Sequence, residues 1–257
     1  MFKLAKQTYS TTSALVIRDL KVAFDKFVAV NGISFSVEPG DLRFLIGPNG
    51  AGKTTVIDAI TGLVPSQGSA SIGDTELLGK KVHQVTRLGV GRTFQTASIF
   101  EKLTVQQNLD IACGIHRSAF SLFRKRKFVD PRVQEALSVI GLGALSNVKA
   151  GTLAHGQKQW LEIGMLLVQD AHVLLLDEPV AGMSQDEREE TGRLLQRIGK
   201  DRIVLVVEHD MDFMRSFANS ATVMVRGSIL TEGSVIEVQS DPRVQEVYLG
   251  PKSSEVK

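Results

Sequence analysis

Apolar residues along the chain fall into two kinds of run, and the contrast between them predicts the architecture. From residue 15 to 46 the runs are short (ALVIRDL, ISFSVEP, LRFLIG), and turn dipeptides at Asn31-Gly32 and Pro39-Gly40 separate them. Such spacing predicts sheet. After Gly52 the segment KTTVIDAITGLV switches to helical spacing, so the order there is strand, glycine-rich loop, helix. Residues 96 to 152 carry no strong strand signal, and TVQQNLDIACGI and PRVQEALSVIGL repeat apolar positions at helical intervals. A mostly helical insertion is expected. Strands return at HVLLLDEP and DRIVLVVEH, which are apolar throughout instead of alternating, as suits parallel strands covered on both faces. The outline is an α/β core built on a mixed or parallel sheet, with a helical subdomain inserted in it. The expected division is a loose N-terminal arm over 1–14, a single domain over 15–250 with its helical part at about 96–160, and a tail over 251–257. No internal repeat or low-complexity linker interrupts this order.

Composition narrows the function class without naming a ligand. The 257 residues are 43% apolar, enough to bury a sizeable core. Thirty basic against 28 acidic side chains leave a formal charge of +2, too balanced for a dedicated nucleic-acid binder. Cys113 is the single cysteine, which excludes an intramolecular disulfide framework and a thiolate zinc cluster and suits a reducing compartment. The first residues lack the continuous apolar core of a secretory signal, and no stretch approaches membrane-spanning length, so a cytoplasmic location is expected.

The chemistry concentrates in GPNGAGKTT, residues 47 to 55, which satisfies G-x-x-x-x-G-K-[ST] after a strand and at the start of a helix. Gly47, Gly50 and Gly52, with Asn49 and Ala51 between them, let successive backbone N–H groups converge, and the helix N-terminus adds positive potential. Lys53 is placed to lie along the β- and γ-phosphates of a nucleoside triphosphate, Thr54 to bind Mg²⁺, and Thr55 continues the motif. A plain glycine-rich turn is the alternative, and the strand and helix flanks argue against it. VLLLDE puts Asp177 and Glu178 where a buried strand leaves the sheet. Beside a phosphate loop, Asp177 is the expected Mg²⁺ partner and Glu178 is free to polarise an attacking water; away from one, the pair reads as a solvated strand end. His209 closes the run IVLVVEH and becomes a candidate by location, since a histidine at the rim of a phosphate site can position the water.

Taken in order, GPNGAGKTT, TFQ ending at Gln95, LAHGQ at 153–157, LLLDEP and EH resemble the ATP-binding cassette ATPases of membrane transporters, over about residues 15 to 250. That resemblance implies an N-terminal antiparallel β subdomain, ATP and Mg²⁺ as ligands, and two cassettes facing head to tail. Each ATP would then lie between one subunit's phosphate loop and the other's LAHGQ turn, contributed here by Ala154, His155, Gly156 and Gln157. It also implies adenine stacking by Phe24, Mg²⁺ and water contact by Gln95 beside the transport subunit, Glu178 as general base and His209 as its partner. Aromatic stacking is physically reasonable for Phe24, although a phenylalanine in a strand also serves as core.

Two departures stand out. LAHGQ replaces the family's LSGGQ at Ala154 and His155, and losing the serine hydroxyl removes a hydrogen bond to a charged oxygen worth roughly 1.5–3 kcal/mol. Backbone N–H groups at the start of the following helix still supply an anion site, and the imidazole of His155 could add a donor to the γ-phosphate. A histidine in place of glycine would be strained wherever positive φ is required. After the base, AGMS puts Ser184 where the family's D-loop usually has aspartate, which bears on communication between the two sites.

LA-x-GQ turns are similar to those of branched-chain amino acid importer ATPases, and HGQKQWLEIGMLL with the ending VQEVYLG is similar to the urea and short-chain amide branch of that group. Trp160, Leu161, Ile163 and Leu167 in that run are also what any helix burying one face would carry. The implied partners are transmembrane permease subunits, a sister cassette or a second copy of the chain, and indirectly a solute-binding protein, with the cassette peripheral on the inner face of the membrane. Lipid or lipopolysaccharide export is a competing assignment. A cassette acting on nucleic acid or ribosomes is disfavoured, because there is one motif set, no sustained heptad and no cysteine pair. The segment RSAFSLFRKRKF at 117–128 is a basic, aromatic run that suits anionic headgroups, a permease loop or simple solvation.

Overall fold

The computed structural model describes residues 13–94, 97–116 and 130–249. Gln95, the basic run at 117–128, all but two residues of the N-terminal arm and the 251–257 tail lie outside the described residues.

Strands β1 (Leu15–Phe24) and β2 (Phe27–Val37) pair antiparallel, from Leu15 opposite Val37 to Phe24 opposite Phe27. The connecting turn is Asp25-Lys26, with Asp25 at φ 52°. Asn31-Gly32, expected as a turn, instead lies inside β2 as a bulge: Leu20 faces Ile33 and Lys21 faces Asn31, leaving Gly32 unpaired at φ 70°. Strand β1 is irregular close by: Asp19, between Ile17 and Leu20, is also left-handed, at φ 47°, and takes no partner in the β1–β2 register, and the extra residue in β2 lets the pairing resume across the kink. Two further strands, β4 (Gln67–Ile72) and β5 (Thr75–Glu76), complete an antiparallel sheet of order β2-β1-β4-β5, with β4 against β1.

The second sheet runs β10-β9-β3-β8-β7-β6, where β3 is Leu42–Ile46, β6 Val90–Arg92, β7 Val173–Asp177, β8 Ile203–Glu208, β9 Ser220–Val225 and β10 Ser228–Ser234. Strand β3 is parallel to both β8 and β9, β7 is parallel to β8 and β6, and only β10 is antiparallel to its neighbour. Alternation explains the continuous apolar runs. Leu45, Leu175, Leu205 and Val207 turn to one face and pack with the antiparallel sheet and the helix Lys53–Ile60, whereas Phe44, Ile46, Leu174, Leu176 and Val206 pack under the helices on the other.

Among the described residues after Ile99, helices form at Val105–Ala112 and Pro131–Val139, as expected of this part of the chain. Thr104 and Asp130 cap these helices through their side chains. Val105, Leu109, Val133, Leu137 and Leu161 form a separate small core. Helix His155–Val168 joins the two parts: Leu161 and Val168 face the small core, and Ile163 and Leu166 face the sheet. Any displacement of the helical part therefore carries the start of this helix with it. Among the described residues, no helix is long and apolar enough to cross a membrane.

Candidate nucleotide site

Strand β3 delivers the chain at Ile46 into the loop Gly47–Gly52, and helix Lys53–Ile60 follows at once. Glycine is required at 47 and 52. A Cβ at Gly47 would meet the Met224 carbonyl oxygen at 2.1 Å, and one at Gly52, where φ is 98°, would meet that of Ala29 at 2.4 Å. The helix has no side-chain cap and no acidic residue in its first turn, so its leading N–H groups are not taken by the chain's own anions. That is the arrangement a polyphosphate needs. Lys53 is buried beside this loop and donates to the carbonyls of Gly47 (2.8 Å) and Pro48 (3.1 Å). Burial lowers its pKa, opposed by the carboxylates of Glu178, Asp177 and Glu208. Asn49 is exposed, Ala51 is buried, and Thr54 and Thr55 are half-buried.

The structure brings Asp177, Glu178 and His209 to the same edge, because β8 is the parallel neighbour of β3, β7 is the parallel neighbour of β8, and the strands end together. Thr54 Oγ1 donates to Asp177 Oδ1 at 3.2 Å. Asp177 is 1% exposed, and burial raises its pKa against the pull of Thr54 and Arg92. A hydroxyl and an acidic oxygen held together beside the phosphate loop form a hard-oxygen pair suited to Mg²⁺. Glu178 leaves the strand at φ 48°, an unusual conformation for a side-chain-bearing residue, and its N–H is fixed on the Val207 carbonyl at 2.9 Å. This bend sends successive carboxylates in different directions. Glu178 Oε1 lies 3.4 Å from His209 Nδ1, and the imidazole is half exposed.

Four residues that sequence reasoning did not single out complete the surroundings. Arg92 pairs with Asp58, lies 3.7 Å from Asp177 Oδ2 and stacks on Phe94 at 4.7 Å; Thr93 Oγ1 accepts the Asp177 N–H at 3.3 Å. Glu208 lies beneath His209, accepting its N–H at 3.1 Å, and burial raises its pKa. Glu162 projects from the middle of helix His155–Val168, and its Oε1 accepts the N–H groups of Phe94 (3.4 Å) and Ser98 (3.2 Å) on either side of the Gln95 position. Only adjacency in the sequence, GRTFQ and EH, could have flagged Arg92, Thr93 and Glu208; Glu162 sits in an apolar run with no such signal.

LAHGQ stands apart. Among the described residues, no hydrogen bond or ion pair joins residues 153–157 to the phosphate loop, Asp177 or Glu178. Ala154 is the N-cap of helix His155–Val168 and has no hydroxyl to offer; Gln157 Oε1 accepts the Ala154 N–H at 3.1 Å. His155 begins the helix and is not among the positive-φ residues, so the strain expected of histidine in place of glycine does not arise. Its Nε2 faces the Ala181 carbonyl at 3.0 Å. Ser184 caps helix Gln185–Gly199, accepting the Glu187 N–H at 3.3 Å while Glu187 Oε2 accepts the Ser184 N–H at 3.0 Å. Phe24, at the end of β1, is 46% exposed and so belongs to no core cluster; its ring is accessible for stacking.

Residues 30–181 match the family model of the ABC transporter, and residues 228–250 match that of the branched-chain amino acid ATP-binding cassette transporter. The chain is similar to the high-affinity branched-chain amino acid transport ATP-binding proteins BraF of Pseudomonas aeruginosa and LivG of Escherichia coli. Identities are 33% over 250 residues and 32% over 249, covering 92% of this chain and 97% of each relative. Its fold is similar to a crystal structure of the ADP conformation of MJ1267, an ATP-binding cassette of an ABC transporter, with a TM-score of 0.80 and 30% identity over 93% of this chain and 99% of that one. The cradle at 47–55, read with a family match over more than half of the chain, places it: this chain belongs to the ABC transporter family, as an ATP-binding, ATP-hydrolysing cassette of the branched-chain amino acid importer type.

Proposed function

We propose that this cassette powers uptake of small aliphatic amino acids, with Glu178 as the base that activates water. The observation that carries the catalytic part is the pair of diverging carboxylates at the end of β7. Asp177 is engaged by Thr54, whereas Glu178 is left beside His209. Lys53 and the loop N–H groups of residues 47–55 bind the triphosphate. Thr54 and Asp177, with Gln95, are the residues that would hold Mg²⁺, which when bound neutralises phosphate charge. Water attacks the γ-phosphorus, the bond to the β-phosphate oxygen breaks and ADP leaves with its electron pair, while the water's proton passes to Glu178. His209 keeps that carboxylate oriented. Phe24 stacks on adenine.

Among the described residues, no hydrogen bond or ion pair joins residues 153–157 to the chain's own phosphate loop, which supports their use by a second cassette, either a sister chain or another copy. The remaining partners are membrane-embedded permease subunits and a solute-binding protein, with the cassette at the cytoplasmic face of the membrane. The solute class rests on the relatives and on the C-terminal match at 228–250. Urea or a short-chain amide is the second reading, favoured by HGQKQWLEIGMLL. The structure gives that run packing duties: Trp160 Nε1 donates to Thr191 Oγ1 at 2.8 Å, and Leu161 and Ile163 are fully buried. Uptake of labelled leucine and labelled urea into vesicles carrying the assembled transporter separates the two readings. Leucine uptake abolished by Glu178→Gln supports the first, and urea uptake alone supports the second.

A further inference from the structure

Two features that depart from the family's motifs, His155 and the segment ending at Ser184, touch each other inside one chain. Ala181 stands between them, its N–H donating to the Glu178 carbonyl at 3.1 Å and its own carbonyl facing His155 Nε2 at 3.0 Å. A carbonyl oxygen only accepts, so the proton lies on Nε2 in this contact. The imidazole is therefore two hydrogen bonds from the backbone of the proposed base. Gly182, at φ 71°, lies along the ring, and a Cβ there would come 3.8 Å from Cδ2 and Nε2.

One residue further on, a second contact joins the same two segments. The Glu187 carboxylate rests on Gly156, where an added Cβ would meet its Oε1 at 2.8 Å, and the same carboxylate closes the capping box with Ser184. The LAHGQ turn is thus held at His155 and Gly156 against residues 181 and 187. Aspartate is absent at position 184, and the serine there is fully occupied as a helix cap.

We propose that His155 is a positioning residue that fastens the LAHGQ turn to the Ala181 carbonyl, so that the turn and the segment following Glu178 shift together. This rests on the two-cassette reading above. In such a pair, the nucleotide that engages one chain's LAHGQ turn pulls on the backbone behind that chain's own Glu178, which serves the opposite site. Occupancy of one site is thereby reported to the base of the other through imidazole instead of aspartate. The contact needs a donor at residue 155, and glycine supplies none.

The test uses full-length chain with His155→Gly and His155→Gln. In hydrogen–deuterium exchange of the isolated protein, His155→Gly raises exchange across 181–183 about fivefold, and His155→Gln, whose amide can donate, stays near wild type. In the assembled transporter, His155→Gly leaves the ATP concentration at half-maximal rate within about twofold, lowers kcat about fivefold and flattens the ATP dependence toward a Hill coefficient of one, with rescue by glutamine. Wild-type exchange in His155→Gly, or wild-type kcat and cooperativity, overturns the proposal, as does an equal loss in both variants. Glu178→Gln, run alongside, keeps the two claims distinct: if it hydrolyses ATP normally, the assignment of the base fails, whatever His155 does.

Discussion

Glu162→Gln removes a carboxyl that the fold has buried to 4% exposure, and the consequence depends on pH. Oε1 receives the two N–H groups of Phe94 and Ser98, while Oε2 has no hydrogen-bond partner. Burial outweighs those bonds and the nearby Arg92 charge, pushing the pKa from 4.5 up to about 7. The folded chain therefore holds a proton that the unfolded chain has released between these values. Stability from this group is complete below about pH 4.5 and is lost as pH rises through about 7. With about 1.4 kcal/mol per unit, the loss is about 3 kcal/mol. Glutamine keeps an acceptor for both N–H groups and does not titrate. Its amide nitrogen takes the place of the orphaned oxygen at a cost of about 1–3 kcal/mol that is the same at every pH. Asp177 and Glu208, whose pKa values burial also raises, are present in both proteins and cancel in the difference. Urea unfolding of both proteins from pH 5 to 8 is the assay. The wild type should lose about 2.5 kcal/mol relative to the variant across that range, because a little of the effect already lies below pH 5. Parallel stability profiles would refute the burial argument, because the charged form would then be solvated or paired.

Other outcomes follow from the same geometry. Gly52→Ala forces a Cβ onto the Ala29 carbonyl at a φ of 98° and should cost at least about 2 kcal/mol in urea unfolding, with ATP binding lost. Ala154→Ser supplies the missing hydroxyl at the N-cap of helix His155–Val168 and should stabilise the chain by about 1 kcal/mol, read as a rise in Tm of about 2–4 °C. An unchanged Tm would mean that the turn does not accept the cap.

The central strands and the phosphate loop were legible because their signals are local. HVLLLDEP and DRIVLVVEH are apolar at every position, and each strand does bury both faces. Strands β4, β5, β6, β9 and β10 were not read, for physical reasons: β5 has two residues and β6 three, and β10 is half exposed along its length. The Asn31-Gly32 bulge looked like a turn because both need a residue with positive φ, and only the pairing of Leu20 with Ile33 and of Lys21 with Asn31 tells them apart. At the site, the loop at 47–55 and the carboxylates at 177 and 178 could be named from motif and strand end. Arg92, Glu162 and Glu208 act through contacts 34 or more residues away or through burial, neither of which a linear pattern carries. The placement of His155 against Ala181, 26 residues on, is of the same kind.

Glu178 is the residue on which hydrolysis depends in the proposed mechanism. With radiolabelled ATP and the assembled transporter, phosphate release and bound nucleotide are measured together for the wild type and Glu178→Gln. The variant should retain ATP with near wild-type affinity while phosphate release falls at least about a hundredfold, as expected when a general base is removed. Phosphate release at the wild-type rate would contradict the assignment and move the base elsewhere in the site.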